Sequence, residues 1–207
     1  MAFNLPARVR DEERAFLATL RPSRIRAVQA GRLAWTAVDV IDVESGDGAA
    51  IRAVLERFGI AVRLFRVGQA RHLAAALSGE ASAPHVVVAC HGDAGRIVLP
   101  RLGEEIERLQ PLHGTAGPDE LRSFISMSPG AVVISTGCDT GTPELAGAYF
   151  AGGASAYLAP EGAPFGYAST FVPLLVFYEL TEGRTLDEAV ARLQADGELS
   201  MWRLFRP

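Results

Sequence analysis

The chain has 207 residues, which is enough for one domain with a sizeable core. Its 49% hydrophobic and 21% charged residues are typical of a globular protein, and a net charge of −4 without a basic block argues against a nucleic-acid partner. Two cysteines cannot build a disulfide framework, and the longest apolar run, FVPLLVFY, is too short to span a bilayer. Because MAFNLPARVR has no apolar signal region, we expect a cytoplasmic protein without membrane association.

Residues 1–35 precede the first predicted core strand and are expected to form an N-terminal extension that packs on the core. The segment DEERAFLATL is a possible short helix that begins with acidic residues. Its Phe16, Leu17 and Leu20 favour burial, and an exposed docking arm is the alternative. The remaining residues, 36–207, are predicted to form a single domain.

Strand and helix patterns alternate from residue 36 onward. The predicted elements are the strand TAVDVIDV (36–43), the helix AAIRAVLERFG (49–59), the strand IAVRLFRV (60–67), the helix QARHLAAALSG (69–79) and the strand HVVVACHG (85–92). Continuous apolar strands separated by helices indicate a parallel sheet covered on both faces. The sequence therefore predicts an α/β fold, a three-layer sandwich around a mostly parallel, doubly wound sheet with strand order 2-1-3-4-5 and beyond.

Two of the apolar strands end at a reactive side chain beside a glycine. HVVVACHG ends at His91 and Gly92, and AVVISTGCDTG delivers Cys138. Ligands of open parallel sheets bind beyond the carboxyl ends of the strands, so both side chains are expected at one site. An imidazole beside a thiol supplies a base and a nucleophile, and the N–H groups of Gly92 and Cys138 could hold an oxyanion. This combination predicts acyl transfer by a cysteine.

These two strand ends resemble the caspase-like cysteine peptidases, and most closely their CHAT and separase-like branch. The likeness extends through GPDELRSFISMSPGAVVISTGCDTG and ELAGAYFAGGASAYLAP, and covers about residues 36–195. The resemblance implies a caspase-like fold and a cysteine endopeptidase, with His91 as general base and Cys138 as nucleophile that forms a thioester with a peptide or protein substrate. It implies no metal and no organic cofactor.

Two alternatives remain open at this point. The first is a non-catalytic scaffold of the same fold, or a module that a regulatory protein partner controls. The second is a PfpI-like protein, because ACHG also resembles the nucleophile elbow of that family and would make Cys90 the reactive thiol. However, GDAGRIVLP after His91 is a poor helix starter and predicts a hairpin at the rim. Cys90 and Cys138 are also candidates for a redox pair.

Four acidic residues are candidates for substrate binding. Asp42 lies near the end of the first strand, and Glu44 and Asp47 follow it. They form either a solvated loop with a helix cap or a negative pocket that selects a basic side chain. Asp139 follows Cys138 and is predicted to cap the next helix, with a cleft-facing role as the alternative.

The remaining histidines and the C-terminal region are predicted to lie outside the catalytic site. His113 is expected in an exposed loop, and His72 and His85 as structural or surface groups. FVPLLVFYEL predicts a helix after Thr170 with Pro173 in its first turn, and MWRLFRP predicts a short aromatic tail that docks on the body or binds a partner.

Overall fold

The structure is a computed structural model that describes residues 37–79, 82–194 and 197–207. The extension predicted over residues 1–35, with its possible helix, lies outside the described residues. The first described element is the predicted first strand, which is described from Ala37.

Nine strands and seven α-helices follow one another along the described chain. The strands are β1 (Ala37–Val43), β2 (Ala61–Arg66), β3 (His85–Cys90), β4 (Gly92–Asp93), β5 (Arg96–Val98), β6 (Thr115–Ala116), β7 (Ala131–Ser135), β8 (Ala154–Pro160) and β9 (Trp202–Phe205). The helices are α1 (Gly48–Arg57), α2 (Ala70–Leu77), α3 (Glu104–Glu107), α4 (Pro118–Arg122), α5 (Pro143–Ala151), α6 (Gly166–Thr181) and α7 (Leu186–Leu193). A 3₁₀ helix, Gly197–Met201, precedes β9.

The main sheet has six strands in the order β2-β1-β3-β7-β8-β9. The first five are parallel, and β9 pairs antiparallel with β8 at the edge. Counted among the sheet's own strands in chain order, this is 2-1-3-4-5 followed by a sixth strand, so the predicted order is confirmed. The strands β1, β3, β7 and β8 are almost wholly buried, which explains their unbroken apolar sequences.

Helices cover the two faces of the main sheet and form two separate apolar cores. On one face, Leu73 of α2, Leu121 of α4 and Leu145 of α5 pack against β-strand side chains such as Val88. On the other face, α1, α6 and α7 cover β-strand side chains that alternate with the first set. The three layers predicted from the sequence are therefore present.

A small antiparallel sheet projects from the end of β3. The strands β4 and β5 form a hairpin through Ala94 and Gly95, both at positive φ, and β6 pairs with β5. The predicted hairpin after His91 is confirmed, and no helix follows β3 directly.

The C-terminal region differs from the prediction in two places. Helix α6 begins at Gly166, so Pro173 lies inside the helix and not in its first turn as predicted. Trp202 is completely buried in β9 and donates a hydrogen bond from Nε1 to the Ser135 carbonyl, 3.1 Å away. The aromatic tail therefore docks on the body as the edge strand of the sheet. In the described ranges, no helix is both long enough and apolar enough to cross a bilayer.

Candidate active site

The ends of β3 and β7 lie side by side at the carboxyl edge of the sheet. The last paired residues are Val88 and Ser135, and the Thr136 N–H continues the pairing with a 3.0 Å hydrogen bond to the Val88 carbonyl. Counting three residues on from that pair places His91 level with Cys138. The segments that carry the predicted base and nucleophile are therefore neighbours at one rim.

Close backbone contact between the two strand ends explains the glycines beside His91 and Cys138. A Cβ at Gly92 would overlap the Cys138 carbonyl oxygen and lie 2.7 Å from Thr140 Cγ2. A Cβ at Gly137 would lie 2.9 Å from Cys90 Sγ and 3.1 Å from the Gly92 nitrogen. Real Cβ atoms do not approach other atoms this closely, so only glycine lets the two segments meet without displacement.

The two predicted catalytic side chains differ in exposure. His91 is exposed and Cys138 is partly buried. Burial raises the pKa of the Cys138 thiol, the negative charge of Asp139 raises it further, and the Cys138 N–H opposes both. No hydrogen bond joins the imidazole to the thiol in the described part of the chain. Catalytic hydrogen bonds are often long in unliganded enzymes and tighten when substrate binds.

The turn that carries Cys138 leaves that residue's N–H available. The N–H of Asp139 donates to the Gly162 carbonyl at 2.7 Å, and the N–H of Thr140 donates to the Gly137 carbonyl at 3.3 Å. Among the described residues, the Cys138 N–H has no backbone acceptor, and it lies close enough to the thiol to lower its pKa. It is therefore free to donate to an oxyanion near the sulfur.

A buried polar network supports the turn from below. Ser135 Oγ lies 2.9 Å from Thr140 Oγ1, which donates to the Gly137 carbonyl at 2.7 Å. Tyr157 donates from its hydroxyl to the Thr140 carbonyl at 3.0 Å. Satisfied buried networks of this kind hold a turn in one conformation. This support is not among the features predicted from the sequence, although serine and threonine at the end of an apolar strand, in ISTGCDT, are a signal for it.

Cys90 lies beneath the site and not on its surface. Its thiol is buried under Gly137, 3.7 Å from Ser135 Oγ. Burial raises its pKa to about 11, so the thiol is protonated at physiological pH. Both cysteines are free thiols. A nucleophile has to be accessible and ionisable, and these surroundings suit Cys138 better than Cys90.

Three acidic residues lie beside the same rim, with Asp42 inside β1 and Glu44 and Asp47 in the loop after it. Asp42 is buried, and its Oδ1 accepts hydrogen bonds from the Ser45 N–H at 3.1 Å and the Ser45 hydroxyl at 2.8 Å. Asp47 precedes α1 at the N-cap position without capping it, and its Oδ2 accepts a hydrogen bond from Ser169 of α6 at 2.7 Å. Glu44 is exposed and bridges through its backbone to Cys90. The carboxylates of Asp42 and Asp47 thus have structural partners, in Ser45 and in Ser169 of α6, and Glu44 faces solvent.

Asp139 does not cap the helix that follows it, contrary to the prediction. The N-cap of α5 is Thr142, whose side chain accepts a hydrogen bond from the Leu145 N–H at 3.2 Å, and Pro143 opens the helix. Asp139 sits three residues too early, with a positive φ of 56°. Together with Glu161 it lines a depression of about 280 Å³ next to Cys138.

The described residues contain no group of three or more His, Cys, Asp and Glu side chains placed to hold a metal ion. In the comparisons with known proteins, a scan against protein-family models finds no match, and a search of curated proteins finds none.

Proposed function

We propose that the chain is a cysteine endopeptidase with a caspase-like fold, in which Cys138 is the nucleophile and His91 the general base. The observation that carries this proposal is the contact between the glycine-flanked ends of β3 and β7, which brings an accessible thiol and an exposed imidazole to one rim. The strand order and the antiparallel sixth strand of the sheet support it. The substrates are peptides or proteins, and two free thiols suit a reducing cytoplasm.

The mechanism follows from the groups at the rim. His91 accepts the thiol proton, and the Cys138 sulfur attacks the scissile carbonyl carbon. The N–H groups of Gly92 and Cys138 hold the oxyanion that forms. As the C–N bond breaks, His91 gives its proton to the leaving amine, and a thioester remains. His91 then takes a proton from water, which attacks the thioester, and Cys138 leaves as the thiol.

A second candidate function is a partner-regulated or non-catalytic scaffold of the same fold. The surroundings of Cys138 favour it, because burial and Asp139 raise the thiol pKa and no hydrogen bond to His91 lowers it. In this alternative, a protein partner would have to change the loops around Cys138 before any catalysis.

Labelling with peptidyl electrophiles distinguishes these functions. The protein is treated with a panel of peptidyl chloromethyl ketones, including some with Arg or Lys next to the reactive group, because Glu44 and Asp139 lie near the rim. Hydrolysis of a fluorogenic peptide library is measured in parallel. For the peptidase, Cys138→Ala abolishes labelling and hydrolysis and Cys90→Ala retains both.

The other outcomes identify the alternatives. Labelling that disappears with Cys90→Ala would support the PfpI-like alternative and contradict the proposed dyad. An inert Cys138 in the absence and presence of candidate partners would support the scaffold.

A further inference from the structure

A cavity of about 350 Å³ lies at the amino-terminal edge of the main sheet, at the opposite end of the strands from Cys138. His85, the first residue of β3, forms part of its wall, and His91 follows it by six positions, which is roughly 20 Å along a strand. The apolar part of the wall comes from Pro84, Val132, Leu180 and Leu186. This volume is that of a site for a small molecule.

His85 is a buried polar side chain without a hydrogen-bond partner at this cavity. Its residue is only 9% exposed, and its ring packs edge-on against Phe177, with 5.6 Å between the ring centroids. Neither ring nitrogen is hydrogen-bonded to any described residue. The ring nitrogens are not among the fully buried atoms, so one of them can accept a hydrogen bond from a molecule in the cavity. Burial also lowers the pKa of His85 to about 4, so the imidazole is neutral at physiological pH.

The charged groups at the cavity cancel one another. Arg206 donates a hydrogen bond to Asp187 Oδ2 at 2.7 Å, so the two opposite charges lie side by side and bring no net charge to the cavity. The N-terminus of α7 is occupied as well, because Thr185 and Glu188 exchange hydrogen bonds with each other's backbone N–H groups. The acidic first turn of α7 would also repel an anion. The remaining features are one neutral imidazole, the apolar side chains named above, and the Ser155 hydroxyl, which donates a hydrogen bond to the Gly130 carbonyl at 2.8 Å.

We propose that this cavity binds a small uncharged molecule, which donates a hydrogen bond from a hydroxyl or N–H group to His85 and packs an apolar part against Leu180 and Leu186. The site is separate from the proposed catalytic rim, and the inference does not depend on the peptidase proposal.

Phenol is the probe for this site, because it combines a hydroxyl donor with an apolar ring. Anisole has the same ring without the donor, and benzoate carries a charge. Binding is followed by NMR of the full chain with labelled histidines, and the His85 signals are assigned from a His85→Phe spectrum. We expect a saturable shift of the His85 signals with phenol, and an affinity about three to ten times weaker with anisole, the size of one hydrogen bond. Benzoate should not shift them.

Two variants test the location. Leu186→Trp fills the cavity with a larger side chain and should lose phenol binding, as followed from the His85 signals. His85→Phe removes the acceptor, so phenol should bind this variant no more tightly than anisole does, as followed from the signals of the two ligands. Phe171→Ser removes an exposed ring from α6 at another surface and should retain phenol binding. The proposal is overturned if phenol does not shift the His85 signals, if anisole or benzoate binds as tightly as phenol, or if Leu186→Trp still binds phenol.

Discussion

The two ends of β3 carry histidines in opposite surroundings. His85 begins the strand and is buried against Phe177, whereas His91 follows the strand and is exposed. The difference arises from what covers each edge of the sheet. At the amino edge, the end of α6 and the start of α7 enclose the strand starts. At the carboxyl edge, Gly92 and Gly137 allow the ends of β3 and β7 to lie in close contact, and the chain continues from His91 into the β4–β5 hairpin.

The cysteines show the same contrast over a shorter distance. Cys90 is the last residue of β3 and lies in the core, whereas Cys138 lies on the turn after β7 and is partly exposed. The position of a histidine or cysteine relative to the strand end therefore decides its exposure, and the residue type does not. A histidine or cysteine inside the strand is a packing group, and the same residue on the turn after the strand is available for chemistry.

The largest expected effect is on the pH dependence of the free energy of unfolding, to which His85 should contribute and His91 should not. Burial lowers the pKa of His85 from its ordinary value of 6.5 to about 4, so the unfolded chain takes up this proton at a higher pH than the folded chain. The stabilisation is complete above pH 6.5 and is lost as the pH falls toward 4, by about 3 kcal/mol in total. His85→Phe should lose less stability than the wild type over this window, as measured by urea unfolding at pH 7.0, 5.5 and 4.5.

His91→Phe is the matched control, because it removes an exposed imidazole beyond the other end of the same strand and leaves His85 in place. Its stability should fall with pH as that of the wild type does. An identical slope for His85→Phe and the wild type would show that His85 is not a buried neutral base.

The carboxyl edge was largely predictable from the sequence. Unbroken apolar runs such as HVVVAC specify strands buried on both faces, and this pattern fixes a parallel sheet and the edge at which the runs end. The hairpin after His91 followed from its turn residues. The exposure of His85 was left open because the residue opens its strand, and a sequence pattern does not show which helix covers a strand's start.

Features that depend on long-range pairing were not predictable in detail. The strand β9 has only four residues, and its strand character comes from pairing with β8, which is about 40 residues earlier in the chain. The predicted N-cap of α5, Asp139, was wrong for a different reason. Thr142 followed by Pro143 is a helix-start signal in the sequence, and it competes with the carboxylate of Asp139, which is also a common N-cap group.

Gly92→Ala tests the contact that makes the carboxyl edge a site. The new Cβ would overlap the Cys138 carbonyl oxygen. Because the Cβ is attached to one backbone segment and meets the backbone of the other, one strand end has to move. We expect a loss of about 1 to 3 kcal/mol in the free energy of urea unfolding, and slower labelling of Cys138 by a peptidyl electrophile. Gly68→Ala is the control, since a Cβ there meets no atom within 4 Å. Equal stability of the two variants would contradict the close contact.

The smallest expected effect concerns the negative charge of Asp139, which is the second cause, after burial, of the raised pKa of the Cys138 thiol. Burial and the charge of Asp139 both raise the thiol pKa, so Asp139→Asn should lower it by removing the second cause. At pH 7.5 the variant then contains more thiolate, and alkylation of Cys138 by uncharged iodoacetamide should be faster by a factor of about two to five, the size of an exposed charge interaction. Asp93→Asn removes an exposed carboxylate from β4 and should leave the rate unchanged. Because Cys90 is buried, alkylation in the folded protein reports on Cys138. An Asp139→Asn rate at or below the wild-type rate would show that this carboxylate does not raise the pKa of the Cys138 thiol.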